Sequence, residues 1–153
     1  MNFRPFAEGD FDLLYAIEET CFQPPHRFSR RYMRQLVSSS SGATWIAEDG
    51  GSMAGFAIVS WSPNQGSRTA YIQTIEVTPE MRGLGVGRDL LRLIEQSARQ
   101  AGANVIWLHV DAENEAAVRL YQSCGYLNQG SEDDYYGSGR HALVFARTLL
   151  PLQ

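Results

Sequence analysis

The sequence contains few cysteines and no long apolar run. Its two cysteines, Cys21 and Cys124, do not have the spacing of metal ligands, which favours free thiols in a reducing compartment. No apolar stretch approaches the roughly 18 residues of a membrane-spanning helix, and a strand-like segment at 2–6 stands where a signal peptide would begin. These absences predict a cytoplasmic protein without a metal site and without a membrane partner.

An excess of positive charge is also missing, because 13 basic residues face 17 acidic residues and the net charge is −4. This balance lacks the electrostatic footprint of a nucleic-acid-binding protein, so we expect no nucleic-acid partner. The length of 153 residues and the hydrophobic content of 44% are ordinary for a globular protein. We therefore expect one domain spanning residues 1–153, present as a monomer or a homodimer.

A glycine-rich segment, residues 82–88, separates a β-branched and aromatic run at 70–77 from a helix-periodic run at 88–100. Such a turn exposes several backbone N–H groups at the positive end of the helix dipole, where a phosphate or pyrophosphate binds well. Its spacing fits neither a Walker loop nor a Rossmann fingerprint. An ordinary glycine turn without a ligand is the alternative.

Alternating and helix-periodic segments along the chain predict a mixed α/β fold. We expect one central sheet of about six or seven strands, with about four helices on its two faces. The predicted strands are 1–5, 44–48, 53–61, 70–77, 105–111 and two more around 133–140, the last at 142–149. The predicted helices are 11–21, 30–37, 88–100 and 114–123, and their expected N-terminal caps include Asp10, Ser29 and Asn114.

Two motifs in the second half of the chain point to one family. Arg82, Gly85 and Gly87 match the pattern Arg/Gln-x-x-Gly-x-Gly/Ala, and the segment 114–126 begins with Asn, carries Leu-Tyr in its middle and ends with Gly-Tyr. The chain thus resembles the GNAT superfamily of acetyl-CoA-dependent N-acetyltransferases in motifs and in element order. It is most similar to the bacterial ribosomal-protein alanine acetyltransferases and their eukaryotic N-α-acetyltransferase relatives. The resemblance implies the GNAT fold and acetyl-CoA as cosubstrate.

The resemblance also implies which residues hold coenzyme A. Backbone N–H groups of the glycine-rich segment would bind the pyrophosphate, and main-chain groups of Ile75 and Val77 would run along the pantetheine arm, where one N–H polarises the thioester carbonyl. Asn114 would contact the same arm, and Tyr121 would lie near the sulfur as the general acid. The implied cofactor-binding residues are Ile75, Val77, Arg82, Gly83, Leu84, Gly85, Val86, Gly87, Arg88, Asn114 and Tyr121.

For the acceptor amine, the resemblance implies a pocket made by Phe22, Tyr135 and Tyr136, although the two tyrosines also fit ordinary strand aromatics. The bacterial ribosomal-protein enzymes carry a glutamate as their proposed base where this chain has His109. A eukaryotic N-α-acetyltransferase branch carries histidine there, together with a tyrosine at the position of Tyr71. The expected base is therefore His109, acting through a water held with Tyr71.

Glu76 is the rival base, because many small-molecule members of the superfamily carry a carboxylate on this strand. Strict alternation places Glu76 on the face opposite Tyr71, but the family's fourth strand is usually bulged, so both bases stay open. Trp107 is expected to pack in the core or at an edge, and His26 and His141 are expected to lie at the surface.

Elementary energetics favours an N-terminal amine as the acceptor. An α-amine with a pKa of about 7.7–8 is roughly one-tenth neutral at pH 7, which costs about 1.2 kcal/mol, whereas a lysine amine at about 10.4 costs about 4.6 kcal/mol. A modest base such as histidine suits the α-amine, because its ordinary pKa is about 6.5.

Two other functions remain. A small-molecule acetyltransferase acting on a polyamine, an amino acid or an aminoglycoside gains support if the groove beside Tyr135 and Tyr136 is closed and lined by Glu132, Asp133 and Asp134. A non-catalytic acyl-CoA-binding module would bind the cosubstrate without amine-dependent release of thiol.

Overall fold

The computed structural model describes residues 1–62 and 68–150. Within these ranges one mixed sheet has the strand order β1-β2-β3-β4-β5-β7-β6. The strands are β1 (Asn2–Pro5), β2 (Gly42–Asp49), β3 (Ser52–Trp61), β4 (Thr69–Val77), β5 (Val105–Asp111), β6 (Leu127–Glu132) and β7 (Ala142–Thr148). The α-helices are α1 (Phe11–Cys21), α2 (Arg30–Ser38), α3 (Val86–Gln100) and α4 (Glu115–Ser123). The predicted seven-stranded mixed sheet with four helices is confirmed, but the strand expected around 133–140 is wrong, because that segment is a turn and the sixth strand lies at Leu127–Glu132.

The helices lie on both faces of the sheet because each carries an apolar stripe. On one face, Leu14 and Ile17 of α1 pack in a core cluster with Phe56 of β3. On the other face, Leu90 and Ile94 of α3 are fully buried. Each such side chain contributes about 1.5–3 kcal/mol by its burial, which is enough to fix both helices on the sheet. Among the helices of the described ranges, none has the length and apolar content needed to cross a membrane.

Side-chain caps begin two helices where the sequence predicts them. The Ser29 hydroxyl accepts a hydrogen bond from the N–H three residues along (3.0 Å), and Asn114 Oδ1 accepts from the equivalent N–H of α4 (3.1 Å). Asp10 is the N-cap residue of α1, as predicted, but its carboxylate makes no cap hydrogen bond and accepts instead from the Arg4 guanidinium and the Ala7 N–H. The hydrogen bonds from Arg4 hold the pKa of Asp10 below its ordinary value, so this ion pair ties β1 to the start of α1.

The parallel pairing of β4 with β5 is short. Thr69–Tyr71 pairs with Val105–Trp107 and the ladder ends there. Both strands continue, β4 along β3 and β5 along β7. Their far halves therefore diverge and leave a cleft at the carboxyl ends of two parallel strands, which is the usual place for a ligand in an α/β sheet.

A β-bulge in β4 decides which side chains share a face. Thr74 and Ile72 of β4 pair with two consecutive residues of β3. The residue between them, Gln73, has no partner on β3 and is the additional residue of the bulge. The bulge inverts the alternation beyond it. Glu76 therefore lies on the same face as Tyr71, and the expectation from strict alternation is wrong.

Candidate active site

A cavity of about 850 Å³ occupies the cleft between β4 and β5. Its walls come from the edges of these two strands, the segment that follows α1, the beginning of α4 and the turn between β6 and β7. The fold thus brings together predicted residues from five separate segments. Those on the cavity are Phe22, Tyr71, Ile75, His109, Asn114, Tyr121, Tyr135 and Tyr136.

The edge of β4 presents backbone groups to the cleft. The Thr78 N–H donates to the Ala54 carbonyl beside β3 (2.9 Å), and in an antiparallel ladder alternate residues bond to the same neighbour. The N–H and C=O groups of Ile75 and Val77 therefore point away from β3, to the side where β5 no longer pairs with β4. Ile75 lines the cavity, whereas the Val77 carbonyl is already bonded to Arg82 Nε. These are the two residues expected along a pantetheine arm.

Residues 82–88 form a turn into α3 with the geometry of an anion site. Gly83 and Gly85 have φ angles of +79° and +83°, and beyond their chain neighbours no atom lies within 4 Å of a Cβ built on either. Among the described residues, none accepts a hydrogen bond from the N–H groups of 83–88. The first bonded amide is that of Asp89, which donates to the Gly85 carbonyl (3.1 Å). Several free N–H groups therefore face open space at the N-terminus of a 15-residue helix.

The side chains of the same turn brace it. Val86 is buried in the α3 core and Leu84 is exposed. Arg82 Nε donates to the last carbonyl of β4 (3.0 Å), and Arg88 Nη2 donates to the Ser123 hydroxyl at the end of α4 (3.0 Å). The two guanidinium groups hold the turn against its neighbours and place positive charge beside the free N–H groups.

His109 and Tyr71 meet inside the cavity. The Tyr71 hydroxyl oxygen lies 2.8 Å from His109 Nδ1, and His109 Nε2 lies 3.0 Å from a carboxylate oxygen of Glu132. The imidazole stacks on the ring of Tyr135, with centroids 4.2 Å apart. Trp107, which the sequence predicts only to pack, lines the cavity and contacts the Tyr71 ring edge-on. Burial, aided by Tyr135, raises the pKa of Tyr71 above its ordinary value, so the phenol is protonated at neutral pH.

Tyr121 and Asn114 form the α4 wall of the cavity. Tyr121 is 6% exposed, and its ring packs edge-on against Tyr126 with centroids 5.5 Å apart. Within the described part of the chain its hydroxyl has no hydrogen-bond partner. Burial raises the pKa of Tyr121 above its ordinary value. The group is therefore protonated at neutral pH and free to donate to a ligand.

Glu76 shares a face with Tyr71 but is absent from the described residues that line the cavity. It is buried under α1 beside Glu18, which is buried as well. The Thr74 hydroxyl donates to Glu76 (2.8 Å), and the Phe28 N–H donates to Glu18 (2.9 Å). The pair thus joins β4 to α1 and to the segment after it, and the rival base lies behind Glu18 and Thr74, which do line the cavity.

Aromatic side chains surround the outer part of the cavity. Phe22 follows α1 as its C-terminal cap. Tyr135 and Tyr136 lie in the turn between β6 and β7, so the interpretation as strand aromatics is wrong. Tyr136 packs edge-on against Tyr135 (4.9 Å) and against His26 (6.5 Å). His26 is exposed, as the sequence predicts, but it also lines the cavity.

The turn at 133–140 is held at both of its ends. His141 Nδ1 accepts a hydrogen bond from a backbone N–H of the turn (3.0 Å). Arg140 forms ion pairs with Asp111 and, at 2.8 Å, with Glu113. These contacts keep the two tyrosines at the cavity. The ion pairs of Arg140 join segments far apart in the sequence, so no local pattern predicts them.

The acidic residues named for a small-molecule groove lie elsewhere. Glu132, Asp133 and Asp134 are not among the described residues that line the cavity. Asp111 and Glu113 do line it, and an arginine already pairs with both. Nor does the described part of the chain group three His, Cys, Asp or Glu side chains as metal ligands would be.

Known proteins are similar to this chain in sequence. The model of the acetyltransferase (GNAT) family matches residues 11–126. The N-alpha-acetyltransferase RimI of Mycobacterium tuberculosis is 35% identical over 125 residues, which cover 81% of this chain and 74% of that protein. Streptothricin acetyltransferase of Streptomyces lavendulae is 39% identical over 100 residues, which cover 63% of this chain and 52% of that protein. The chain spans about half the length of this relative and of one other.

Solved structures share the fold. The ribosomal-protein-S18-alanine N-acetyltransferase of Escherichia coli has a TM-score of 0.85 at 24% identity, over 99% of this chain and 96% of that chain. Two further structures, with TM-scores of 0.84 and 0.83, hold acetyl-CoA and coenzyme A. The family match covers most of the sequence, and the likeness of fold covers nearly all of it. The chain therefore belongs to the GNAT family of acetyltransferases.

Proposed function

We propose that this protein transfers the acetyl group of acetyl-CoA to the α-amine of a peptide or protein N-terminus, by direct attack of the amine in a ternary complex. One observation carries the proposal. A protonated phenol, Tyr71, is hydrogen-bonded to an imidazole, His109, inside a cavity that opens along the unpaired backbone edge of β4. This arrangement offers a proton acceptor and oxyanion-stabilising N–H groups in one place.

The backbone of the chain holds the cosubstrate. The free N–H groups of residues 83–88 bind the diphosphate, and the edge groups of Ile75 and Val77 align the pantetheine arm. Asn114 contacts the arm from the α4 side. One N–H of the β4 edge donates to the thioester carbonyl, a kind of contact whose loss costs about 10²–10³ in kcat. Acetyl-CoA supplies the activated acetyl group, and the site supplies orientation and proton transfer.

Three side chains move protons. As the amine nitrogen attacks the carbonyl carbon, the C–N bond forms and the C–S bond breaks. The amine proton passes to the Tyr71 oxygen while the Tyr71 proton passes to His109 Nδ1. Tyr121 gives its proton to the departing thiolate and recovers one from solvent. Positioned acid and base groups of this kind contribute about 10²–10⁴ to a rate.

Three arguments support an α-amine as the acceptor. An α-amine at pH 7 needs little deprotonation, so a histidine–tyrosine pair suffices as the base. Phe22, Tyr135 and Tyr136 surround the outer cavity and can hold an N-terminal residue. A relative 35% identical to this chain is an N-alpha-acetyltransferase. A lysine acceptor fits less well, because its neutral form costs about 3 kcal/mol more at pH 7.

A thiol-release assay with acetyl-CoA tests the proposal. The acceptors are peptides that differ in their first residue, each paired with a copy whose N-terminus is blocked and whose internal lysine is free. We expect release of coenzyme A only with free N-termini, and mass spectrometry should locate the acetyl group on the α-nitrogen. The protein has no lysine of its own, so acetylation of its own lysines adds no background.

Two experimental results would each support a different function for this protein. The similarity to streptothricin acetyltransferase supports a small molecule as the alternative acceptor. Turnover with a polyamine, an amino acid or an aminoglycoside, but with no peptide, would establish that function instead. Binding of acetyl-CoA without thiol release for any amine would indicate a non-catalytic acyl-CoA-binding module.

A further inference from the structure

Glu132 completes a chain of hydrogen-bonding groups that runs from the cavity to the surface. The Tyr71 hydroxyl lies 2.8 Å from His109 Nδ1, and His109 Nε2 lies 3.0 Å from Glu132 Oε1. The exposed fraction rises along this chain, from 9% for the His109 side chain to 53% for Glu132. A buried imidazole is therefore joined to a carboxylate in contact with water.

Sheet order brings the two residues together. β7 lies between β5 and β6, and Ala142 pairs with Asp111 on one side and with Glu132 on the other. Neighbouring strands lie about 4.8 Å apart, so histidine and glutamate side chains can span the intervening strand. The residue of β7 opposite Glu132 is an alanine, whose single methyl group leaves room for this contact.

The partners determine where the ring proton sits. A carboxylate only accepts hydrogen bonds, so neutral His109 carries its proton on Nε2 and donates it to Glu132. Nδ1 is then an acceptor, and Tyr71 donates its single O–H to it. The Tyr71 oxygen, having given its proton to this bond, can then accept the proton of an amine in the cavity.

We infer that Glu132 is a positioning residue that holds His109 in this tautomer and stabilises the imidazolium formed during acetyl transfer. The inference rests on the proposed function. When the amine proton reaches Tyr71 and the Tyr71 proton reaches Nδ1, both ring nitrogens carry protons. The Nε2–H then faces the charged carboxylate, and the ring returns to neutrality by losing a proton to solvent. The titratable groups that face His109 are Tyr71 from β4, Glu132 from β6 and Tyr135 from the turn.

Three variants of the full chain separate charge from hydrogen bonding. Glu132→Gln keeps an oxygen acceptor and removes the charge, and Glu132→Ala removes both. Asp133→Asn is the matched control, because it removes one charge at the next residue, whose side chain is 86% exposed and pairs with His141. For each we would measure kcat, both KM values and the ¹⁵N signals of the His109 ring, assigned with a His109→Asn variant. Thermal melting checks that each variant is folded.

Glu132→Ala should lower kcat about tenfold, a fraction of what a positioned base contributes, and leave the KM for acetyl-CoA unchanged. Its ring signals should report a mixture of tautomers. Glu132→Gln should share the lower kcat but keep the Nε2–H tautomer, and Asp133→Asn should match the wild type.

A Glu132→Ala variant with wild-type kcat and ring signals would overturn the inference. If the wild-type protein acetylates no amine, the proposed function fails. The ring signals need no turnover, and they still show whether Glu132 sets the tautomer of His109.

Discussion

Glu76 of β4 and Glu18 of α1 bury two carboxyl groups side by side, with 3% and 1% of their surfaces exposed. The Oε1 atom of each is buried and has no hydrogen-bond partner in the described part of the chain. Ionising both groups in such surroundings is costly. Burial, and then the proximity of Glu18, raise the pKa of Glu76 above its ordinary value. The contact between β4 and α1 therefore depends on pH.

We expect Glu76→Gln to stabilise the protein at neutral pH. In the unfolded chain a glutamate ionises near a pKa of about 4.3, whereas folded Glu76 keeps its proton to higher pH. The wild type thus loses stability as the pH rises between these two values. Glutamine carries no charge and can donate an N–H to Glu18. Melting curves from pH 4 to 8 should show an advantage of the variant that grows with pH, to about 1–3 kcal/mol.

A control and a second readout accompany this variant. Glu19→Gln removes a half-exposed carboxylate from the same helix and should leave the pH dependence of melting unchanged. A stability difference between Glu76→Gln and the wild type that is constant over pH would contradict the raised pKa. Because Glu76 does not line the cavity, the variant should also keep its kcat, and a large loss of turnover would revive Glu76 as the base.

Tyr121→Phe should lower kcat about 10²-fold and leave the Kd of acetyl-CoA nearly unchanged, because the hydroxyl is assigned to proton donation. The ring, and with it the packing, is retained. Tyr126→Phe is the matched control, because the Tyr126 hydroxyl donates to Glu95 (2.6 Å) and the residue does not line the described cavity. It should lose about 1–3 kcal/mol of stability and keep its turnover. Wild-type kcat in Tyr121→Phe would remove Tyr121 from the mechanism.

Gly85→Ala should weaken the binding of acetyl-CoA at least tenfold, about 1.4 kcal/mol. Its φ angle of +83° is strained for alanine, and the added methyl group would enter the open space before the free N–H groups. Gly102→Ala carries the same backbone strain, at φ +95°, beyond the opposite end of α3. Calorimetric titration should show weaker binding for Gly85→Ala alone, while both variants melt earlier. Equal loss of affinity in both would trace the effect to general destabilisation.

Tyr71 and His109 should behave as one unit. Tyr71→Phe and His109→Gln should each lower kcat about 10²-fold. The double variant should lose little more than either single variant, because each change already breaks the same proton path. Steady-state kinetics of the four proteins completes the cycle. Losses that multiply in the double variant would show that the two side chains act independently.

Features that depend on neighbouring residues are predictable from this sequence. The glycine-rich turn at 82–88 is marked by its own glycines and by the helix after it. Ser29 and Asn114 are caps because a short polar side chain precedes an apolar stripe. Family motifs then point to Tyr121 and His109, which a reading of local pattern alone would assign to the core.

Features that depend on distant strands are not predictable in this way. β6 has six exposed residues without apolar alternation, so nothing in the sequence marks its bounds. The contact of Glu132 with His109 requires β7 to lie between β5 and β6, which is a property of the whole sheet. The bulge at Gln73 decides the face of Glu76. The ion pair with Arg4 takes the carboxylate of Asp10, the N-cap residue of α1, away from the cap hydrogen bond expected of it.

Backbone amide NMR during a titration with acetyl-CoA tests most directly whether the turn at 82–88 binds the diphosphate. The account predicts that the N–H signals of Gly83, Gly85 and Gly87 shift saturably, while those of Gly50 and Gly102, which lie in other turns, stay in place. Saturable binding that leaves the signals of the turn unmoved, or no binding at all, would contradict it.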